Sequence, residues 1–348
     1  MSKVGIIANP ASGKDIRRLV AYASVIGNRD KANLLRRIIL GVDSTGVEEI
    51  LIMPDYSGLG SLALAGLQEK LRARVSMLDM PVKGTQDDST AAAKLMREAG
   101  IDCLVTLGGD GTNRAVAKGD CSIPLVAVST GTNNVFPVMV EATTAGLAAG
   151  IIARGIIPQD GVVSAQKRLV LIEDGVEKDM ALVDAVVLDQ PFVGARAVWD
   201  LAAVREIVCT RAEPQSIGLS SIGGCIRAVG ADDDCGLHLK LGKAGRRVRA
   251  PVLPGVIGEV CVEECSLIAI GEEVAVTRLP GLLALDGERE AVLAAGHEIR
   301  MRFERSGPRT VDLTATIREA ADRGFFVSSN GHQGAGREDA YGCEYSNT

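Results

Sequence analysis

The chain has 348 residues, 47% of them hydrophobic and 24% charged, a composition that suits a globular protein with two cores. Its net charge is −6 and aromatics make up only 3%, so it offers neither a basic phosphate-backbone face nor a base-stacking platform. Nucleic acid is therefore not expected as a partner. With no apolar run of spanning length, neither is a membrane.

Eight scattered cysteines without a Cys-x-x-Cys pair, and three histidines, argue against zinc and for a reducing, cytoplasmic setting. The start, Met1-Ser-Lys-Val-Gly-Ile-Ile-Ala8, runs straight into a strand pattern with no room for a signal peptide. Lys3 to Ala8 is the first strand. Asn9-Pro-Ala-Ser-Gly-Lys14 follows. Its Asn9, Ser12 and Gly13 can wrap a phosphate with Lys14 as point charge, or the run is simply a set of turn formers. Helical periodicity covers Ile16 to Ile39 with a break near Gly27. Glu49 to Met53 is a strand, Ser61 to Leu71 a helix and Arg74 to Leu78 a strand. Asp88 to Ala99 is a helix capped by Asp88 or Ser89.

Cys103 to Leu107 reads as a buried parallel strand, and it runs into Gly108-Gly-Asp-Gly-Thr112 with a helix opened by Thr112. Glycines leave the amides uncovered, so Gly108, Gly109, Gly111, Thr112 and Asn113 are candidates for holding phosphate at a helix N-terminus. Asp110 repels phosphate, but it can take a proton from an attacking hydroxyl or help hold Mg2+. The plain alternative is a glycine-rich turn with a solvated Asp. Leu125 to Val128 is the fifth strand and ends in Ser129-Thr-Gly-Thr-Asn-Asn134. There Thr130, Thr132, Asn133 and Asn134 suit ribose or base recognition. Thr143 to Ile156 is a helix. Strand-helix alternation predicts an α/β, doubly wound parallel sheet, with all three polar loops at strand carboxyl ends where such sheets bind ligands.

Beyond Gly161 the pattern becomes β-rich. Arg168 to Ile172, an Asp174-Gly175 turn and Ala181 to Leu188 read as a hairpin. Val198 to Val208 reads as a helix carrying Trp199. Ser216 to Gly224 is a small-residue loop opening a helix. Leu237 to Leu241, Val256 to Val262, Ser266 to Ile270 and Ile299 to Phe303 are strand-like. Leu285-Asp-Gly-Glu288 is a hairpin turn on spacing; Asp286 and Glu288 could alternatively face the phosphate cleft and hold Mg2+. The expected organisation is an α/β nucleotide-binding domain over 1–158 and a β-rich domain over 159–310. A C-terminal helix that packs back and a loose tail fill 311–348.

Gly108-Gly-Asp-Gly-Thr112 after an apolar strand resembles the signature shared by ATP-NAD kinases and diacylglycerol or sphingosine kinases. Ser216 to Gly224 resembles the second NAD-kinase block, while Asn9 to Lys14 and Leu285 to Glu288 resemble the lipid-kinase branch. Gly-Gly-Asp-Gly-Thr-Asn-Arg114 together with Ser-Thr-Gly-Thr-Asn-Asn134 is most similar to acetoin-catabolism X proteins, over most of the chain to about Asp322. The resemblance implies a nucleotide site between two domains, with ATP and Mg2+ as cofactors and Asp110 as the base that activates the 2′-OH of NAD, giving NADP. It places Asp184 where the family's Asn-Glu/Asp pair has its acid, and Ser216, Ser220, Ser221, Gly223 and Gly224 in the acceptor block. Val183 replaces the Asn of that pair and Gly218 the Tyr of that block, changes that spare phosphate chemistry but not NAD contacts. Transfer to another small-molecule or lipid hydroxyl and non-catalytic nucleotide binding stand as alternatives. The expected partners are small-molecule nucleotide substrates and further copies of the chain in a homo-oligomer.

Overall fold

Continuous apolar runs that end at glycine-rich loops become the strands of a parallel sheet in the computed structural model. It describes residues 1–13, 21–22, 26–67, 69–131, 133–189, 200–277 and 279–327. The first half alternates β1 (Lys3–Ala8), α1 (Asn28–Ser44), β2 (Glu49–Ile52), α2 (Leu59–Leu64), β3 (Arg74–Met77), α3 (Asp87–Glu98), β4 (Cys103–Gly108), α4 (Asp110–Gly119), β5 (Leu125–Ser129) and α5 (Ala142–Ala153). The strands lie in the order β3-β2-β1-β4-β5, all parallel. Leu35 and Ile38 of α1, Ala63 of α2 and Ala149 of α5 pack on Ile6, Val105 and Val126. Ala93 and Met96 of α3 and Val116 of α4 cover the other face at Ile7, Leu104 and Leu125. Helices on both faces make the sheet doubly wound.

Some expected boundaries shift for local reasons. α2 stops after Leu64, because the chain turns through Gly66 at φ +76 instead of continuing to Leu71. Neither Asp88 nor Ser89 caps α3. Asp88 folds back to accept the N–H groups of Lys83 at 3.0 Å and Gly84 at 2.7 Å, pinning the loop before the helix. Asp110 rather than Thr112 begins α4. Of the helical run expected from Ile16 to Ile39, residues 16–20 and 23–25 lie outside the described residues, Ala21 and Tyr22 are not helical, and the helix proper runs from Asn28 to Ser44.

The second half contains β6 (Val163–Ala165), β7 (Arg168–Glu173), β8 (Val176–Ala181), β9 (Asp184–Leu188), β10 (Val204–Cys209), α6 (Ser220–Gly224), β11 (Cys235–Gly242), β12 (Arg246–Leu253), β13 (Val256–Ala269), β14 (Glu273–Ala275), β15 (Gly281–Leu285), β16 (Glu288–Leu293), β17 (Ile299–Glu304), β18 (Arg309–Val311) and α7 (Leu313–Asp322). A seven-stranded antiparallel sheet, β12-β13-β11-β10-β9-β15-β16, faces a four-stranded one, β14-β17-β7-β8. The period-2 alternation buries both faces of the middle of the larger sheet, at β9, β10 and β15. Val186, Ile207 and Leu239 point to a core with Ile222 of α6. Val187, Val208 and Leu283 point to a core with Leu169, Met301 and Phe303 of the smaller sheet.

Three expectations are corrected here. The hairpin partner of β7 is β8, and β9 leaves for the other sheet. Of Val198 to Val208, expected as helix, Leu201–Ala203 form one 3-10 turn and Val204 to Val208 belong to a strand between β9 and β11, which the β-branched Val204, Ile207 and Val208 favour; Val198 and Trp199 lie outside the described residues. The two strands expected at Val256 and Ser266 are one, β13, kept continuous by a register shift opposite Lys240 and Leu241. The chain finally returns to the first half. β18 pairs parallel to β5 and antiparallel to β6, and Ala320 of α7 enters the first core. Residues 328–348, expected as a loose tail, lie outside the described residues.

Candidate functional site

The loop after β1 is held from within. Asn9 Oδ1 accepts the Ala11 N–H at 2.8 Å, an Asx turn, and Asn9 Nδ2 donates to Thr112 Oγ1 at 2.9 Å, tying this loop to α4. Ser12 Oγ bonds the Asn9 carbonyl at 2.9 Å and Thr130 Oγ1 at 2.8 Å. Gly13 takes φ +73, a conformation that disfavours a side chain. Underneath lies Lys31 of α1, fully buried, whose ammonium donates to the carbonyls of Asn9, Pro10 and Ser12 at 3.2, 3.0 and 2.8 Å.

The second loop is shaped by close packing. A Cβ on Gly108 would sit 2.5 Å from Thr112 Cβ, and one on Gly109 would sit 2.7 Å from Asn134 Oδ1. Gly111 faces Glu288, which accepts from Gln86 Nε2 at 2.5 Å. Asp110, at the start of α4, accepts the N–H groups of Val135 at 3.1 Å and Phe136 at 2.8 Å, so the loop after β5 fixes its carboxylate.

Behind this lies a second carboxylate. Asp286, with φ +51 in the β15–β16 turn, accepts the N–H groups of Leu182, Val183 and Asp184 at 3.0, 2.7 and 3.3 Å. Arg114 of α4, 1% exposed, places its Nε 3.7 Å from Asp286 and its Nη1 3.3 Å from Asp179. Burial pushes the Asp286 carboxyl up to about 7; Arg114 opposes this and the charge of Asp110 adds to it. Arg211 stacks on Phe136 at 5.4 Å and donates to Gln166 at 2.9 Å; burial lowers its pKa and the charge of Asp110 opposes that.

The loops enclose a cleft of about 470 Å³, lined among others by Ser12, Gly13, Met53, Tyr56, Gly109, Gly111, Thr112 and Asn134. A small pocket of about 30 Å³ adjoins it, with Asp184, Ile217, Gly218 and Leu219 in its wall. Asp110, Asn133 and Asp286 border both. Asp110 therefore stands at the carboxyl end of β4 between two cavities, where a hydroxyl on one side can meet a phosphate chain on the other.

Of the residues expected at the site, Asn9, Ser12, Gly13, Gly109, Asp110, Gly111, Thr112, Asn133, Asn134, Asp286 and Glu288 line the cleft. Gly108 lies under the loop, packed on Thr112. Asn113 is fully buried: it accepts from Thr106 Oγ1 at 2.7 Å and donates to the Gly109 carbonyl at 2.9 Å, so it braces the loop instead of touching phosphate. Thr130 is 1% exposed and supports Ser12. Asp184 lines the small pocket. Ser220 and Ser221 are fully buried, Gly223 packs on Leu237, and Gly224 packs on the backbone of Glu213; none of these, nor Ser216, lines either cavity. The contact there falls to Ile217, Gly218 and Leu219. Lys14 and Thr132 lie outside the described residues.

Asp286 and Glu288, read as weak Mg2+ ligands acting through a bound nucleotide, both have hydrogen-bond partners. Both oxygens of Asp286 are engaged by backbone N–H groups, Glu288 is held by Gln86, and among the described residues no cluster of three or more His, Cys, Asp or Glu could hold a metal. The turn reading of Asp286-Gly287 holds, with φ +51 and +77. Sequence reasoning missed Lys31 and Arg114 as shapers of the site. Lys31 carries a readable signal, since it shares the inward stripe of α1 with Leu35 and Ile38.

Comparison with known proteins agrees with this geometry. The family model described as ATP-NAD kinase N-terminal domain matches residues 4–156, and that described as acetoin catabolism protein X C-terminal domain matches residues 167–306. A protein of Cupriavidus necator named Acetoin catabolism protein X is 38% identical over 329 residues, covering 91% of this chain and 92% of that protein. The crystal structure of yeast NADH kinase complexed with NADH superposes with a TM-score of 0.51 at 15% identity, covering 94% of this chain and 89% of that one, a likeness of fold. A diacylglycerol kinase structure from Bacillus anthracis str. Sterne aligns at 15% identity over 89% and 96% of the two chains with a TM-score of 0.42. Among the described residues no helix is long and apolar enough to cross a membrane.

Proposed function

This chain belongs to the acetoin catabolism protein X family, and on that premise we propose that it is a phosphotransferase moving the γ-phosphoryl group of ATP to a hydroxyl held beside Asp110. One observation carries the reading: Asp110 borders both a nucleotide-sized cleft and the small pocket next to it, at the N-terminus of α4. The N-terminal family model and the NAD kinase-like fold support phosphoryl transfer as the reaction class.

Ser12, Gly13, Gly109, Gly111 and Thr112 would hold the phosphates, and Met53 and Tyr56, the apolar lining, would take the base. Mg2+ would arrive on the nucleotide and neutralise phosphate charge. The acceptor oxygen forms a bond to the γ-phosphorus as the bond to the β–γ bridging oxygen breaks; that electron pair leaves with ADP, and the hydroxyl proton passes to Asp110. The protein contributes mainly position, through the two amides that fix Asp110 and the loops that Lys31 and Arg114 brace.

The acceptor implied by the NAD kinase branch is the 2′-OH of NAD, giving NADP, so the test starts there. Purified protein is incubated with ATP, Mg2+ and NAD, and in parallel with other alcohols, while ADP and NADP are followed. Acceptor-dependent ADP release that disappears in Asp110→Asn is expected. Tight ATP binding without release under any acceptor would leave a nucleotide-binding protein instead. A second reading, transfer to another small hydroxyl, is favoured by Val183 and Gly218 in the wall of the small pocket.

A further inference from the structure

Resting on the reading of the cleft as a nucleotide site, we propose that Lys31 is a positioning residue for the phosphate chain. It turns the loop after β1 so that the Gly13 N–H meets a phosphate oxygen, and it supplies fixed positive charge behind that loop. The location is an unfavourable one for a lysine. Lys31 is the fourth residue of α1, near the positive end of the helix dipole, and it is fully buried. A buried ammonium depends on its partners, here the carbonyls of Asn9, Pro10 and Ser12 at 3.2, 3.0 and 2.8 Å.

Those bonds dictate where the loop's amides point. In a trans peptide the C=O and N–H lie on opposite sides. With the Ser12 carbonyl turned down to Lys31, the N–H of the same peptide, on Gly13, turns away from the buried side. Gly13 lines the cleft, and its N–H has no acceptor among the described residues. The neighbouring donors are used within the loop. The Ala11 N–H goes to Asn9 Oδ1 at 2.8 Å, the Ser12 N–H reaches the Asn9 carbonyl at 3.4 Å, and Pro10 has none. Charge points the same way. The cleft wall holds Asp55, Asp110 and Glu288 and, among the described residues, no Lys, Arg or His, so the charge of Lys31 from behind the loop counts for more. It reaches the far wall: burial raises the Asp55 carboxyl, while the N–H groups of Leu59 and Ser57 and the charge of Lys31 oppose that.

The test is isothermal titration of the full chain, with Mg2+ present, by ATP, inorganic tripolyphosphate and adenosine. Wild type is compared with Lys31→Met, which keeps the stem and loses the charge. The Kd of ATP and of tripolyphosphate is expected to rise about tenfold or more, and that of adenosine to stay within about twofold. Equal losses for adenosine and ATP would mark Lys31 as a support of the fold alone and overturn the inference, as would an unchanged ATP affinity. Should Lys31→Met not fold, wild type labelled with 15N-glycine decides. Its Gly13 amide signal, identified by its absence in Gly13→Ala, is expected to move with ATP and tripolyphosphate and not with adenosine; a signal that ignores ATP would overturn the inference. Binding is read without turnover, so ATP held through Lys31 but never converted to ADP would defeat the phosphotransferase reading and leave this inference standing. Wild type that binds neither ATP nor tripolyphosphate would overturn both.

Discussion

Arg114 shows how much of this molecule depends on single buried charges. Its guanidinium is 1% exposed and lies against Asp179 and Asp286, the latter with no side-chain exposure. Breaking a buried pair by removing one partner costs about 3–5 kcal/mol, because the survivor stays desolvated. At pH 8, where Asp286 is ionised, Arg114→Met is therefore expected to lower the unfolding free energy by that amount in urea, and adding Asp286→Asn should restore part of it. Strict additivity of the two changes would refute the pairing. Asp286 also makes stability depend on pH. Its folded carboxyl is raised from the ordinary value of 3.8 to about 7, so between these values the folded state keeps a proton that the unfolded chain has lost. Stability from this group falls as pH rises through that window and is level above it. Melting temperatures taken from pH 4.5 to 8 should show a steeper decline in wild type than in Asp286→Asn. Equal slopes would mean that Asp286 titrates normally. None of this was visible in the Leu-Asp-Gly-Glu run, which reads as a turn on spacing. What makes the turn a structural anchor is a partner 172 positions earlier in the chain (286 − 114) and three amides contributed by Leu182, Val183 and Asp184.

At the scale of elements, α1 and α5 touch backbone to backbone. A Cβ on Gly146 would lie 2.2 Å from the Ile38 carbonyl, and one on Gly41 would lie 2.4 Å from the Thr143 carbonyl. In an exposed helix Gly→Ala gains about 1 kcal/mol from propensity. Here the contact is with rigid backbone, and overpacking costs about 1–3 kcal/mol, so Gly146→Ala is expected to destabilise on balance. A variant more stable than wild type in urea would show that the helices can separate. The helices themselves were legible from periodicity, as were β1, β4 and β5, because strands buried on both faces are continuous apolar runs that end at glycine loops. The second half was less legible for a physical reason. The edge strand β12 carries Arg246, Arg247 and Arg249 around Val248, and its neighbour β13 passes through Glu263 and Glu264, so strands with a wet face at this end of the sheet imitate loops. The site divides the same way. Loops announced themselves by glycine and Asp110, whereas Lys31 and Asn113, polar residues turned inward, depend on neighbours that only the fold supplies.

Taken as a whole, a chain of this length with two sheets systems would ordinarily unfold in separate steps. Three features argue for one cooperative transition instead. Met180, Leu182 and Val183, which belong to the second half, pack into the first half's core with Ile7, Ala92 and Met96. β18 and β6 extend the first sheet only after the antiparallel sheets are complete, so the first sheet cannot keep all its strands once the second half opens. Arg114 and the Gln86–Glu288 bond join the halves across the cleft, the former buried and the latter at its lining. Cys209 of β10, fully buried in the antiparallel core, reports on the second half through the accessibility of its thiol to an alkylating reagent, read by peptide mass. Far-UV circular dichroism is dominated by the helices, seven of them among the described residues and six packed around the first sheet or its returning end. Urea unfolding followed by the two signals is expected to coincide within error in wild type, and to part in Arg114→Met, where the buried tie is cut. Helical signal lost well before the Cys209 thiol becomes reactive in wild type would show two independent domains, and the cleft between them would then owe its shape to the bound nucleotide and not to the fold.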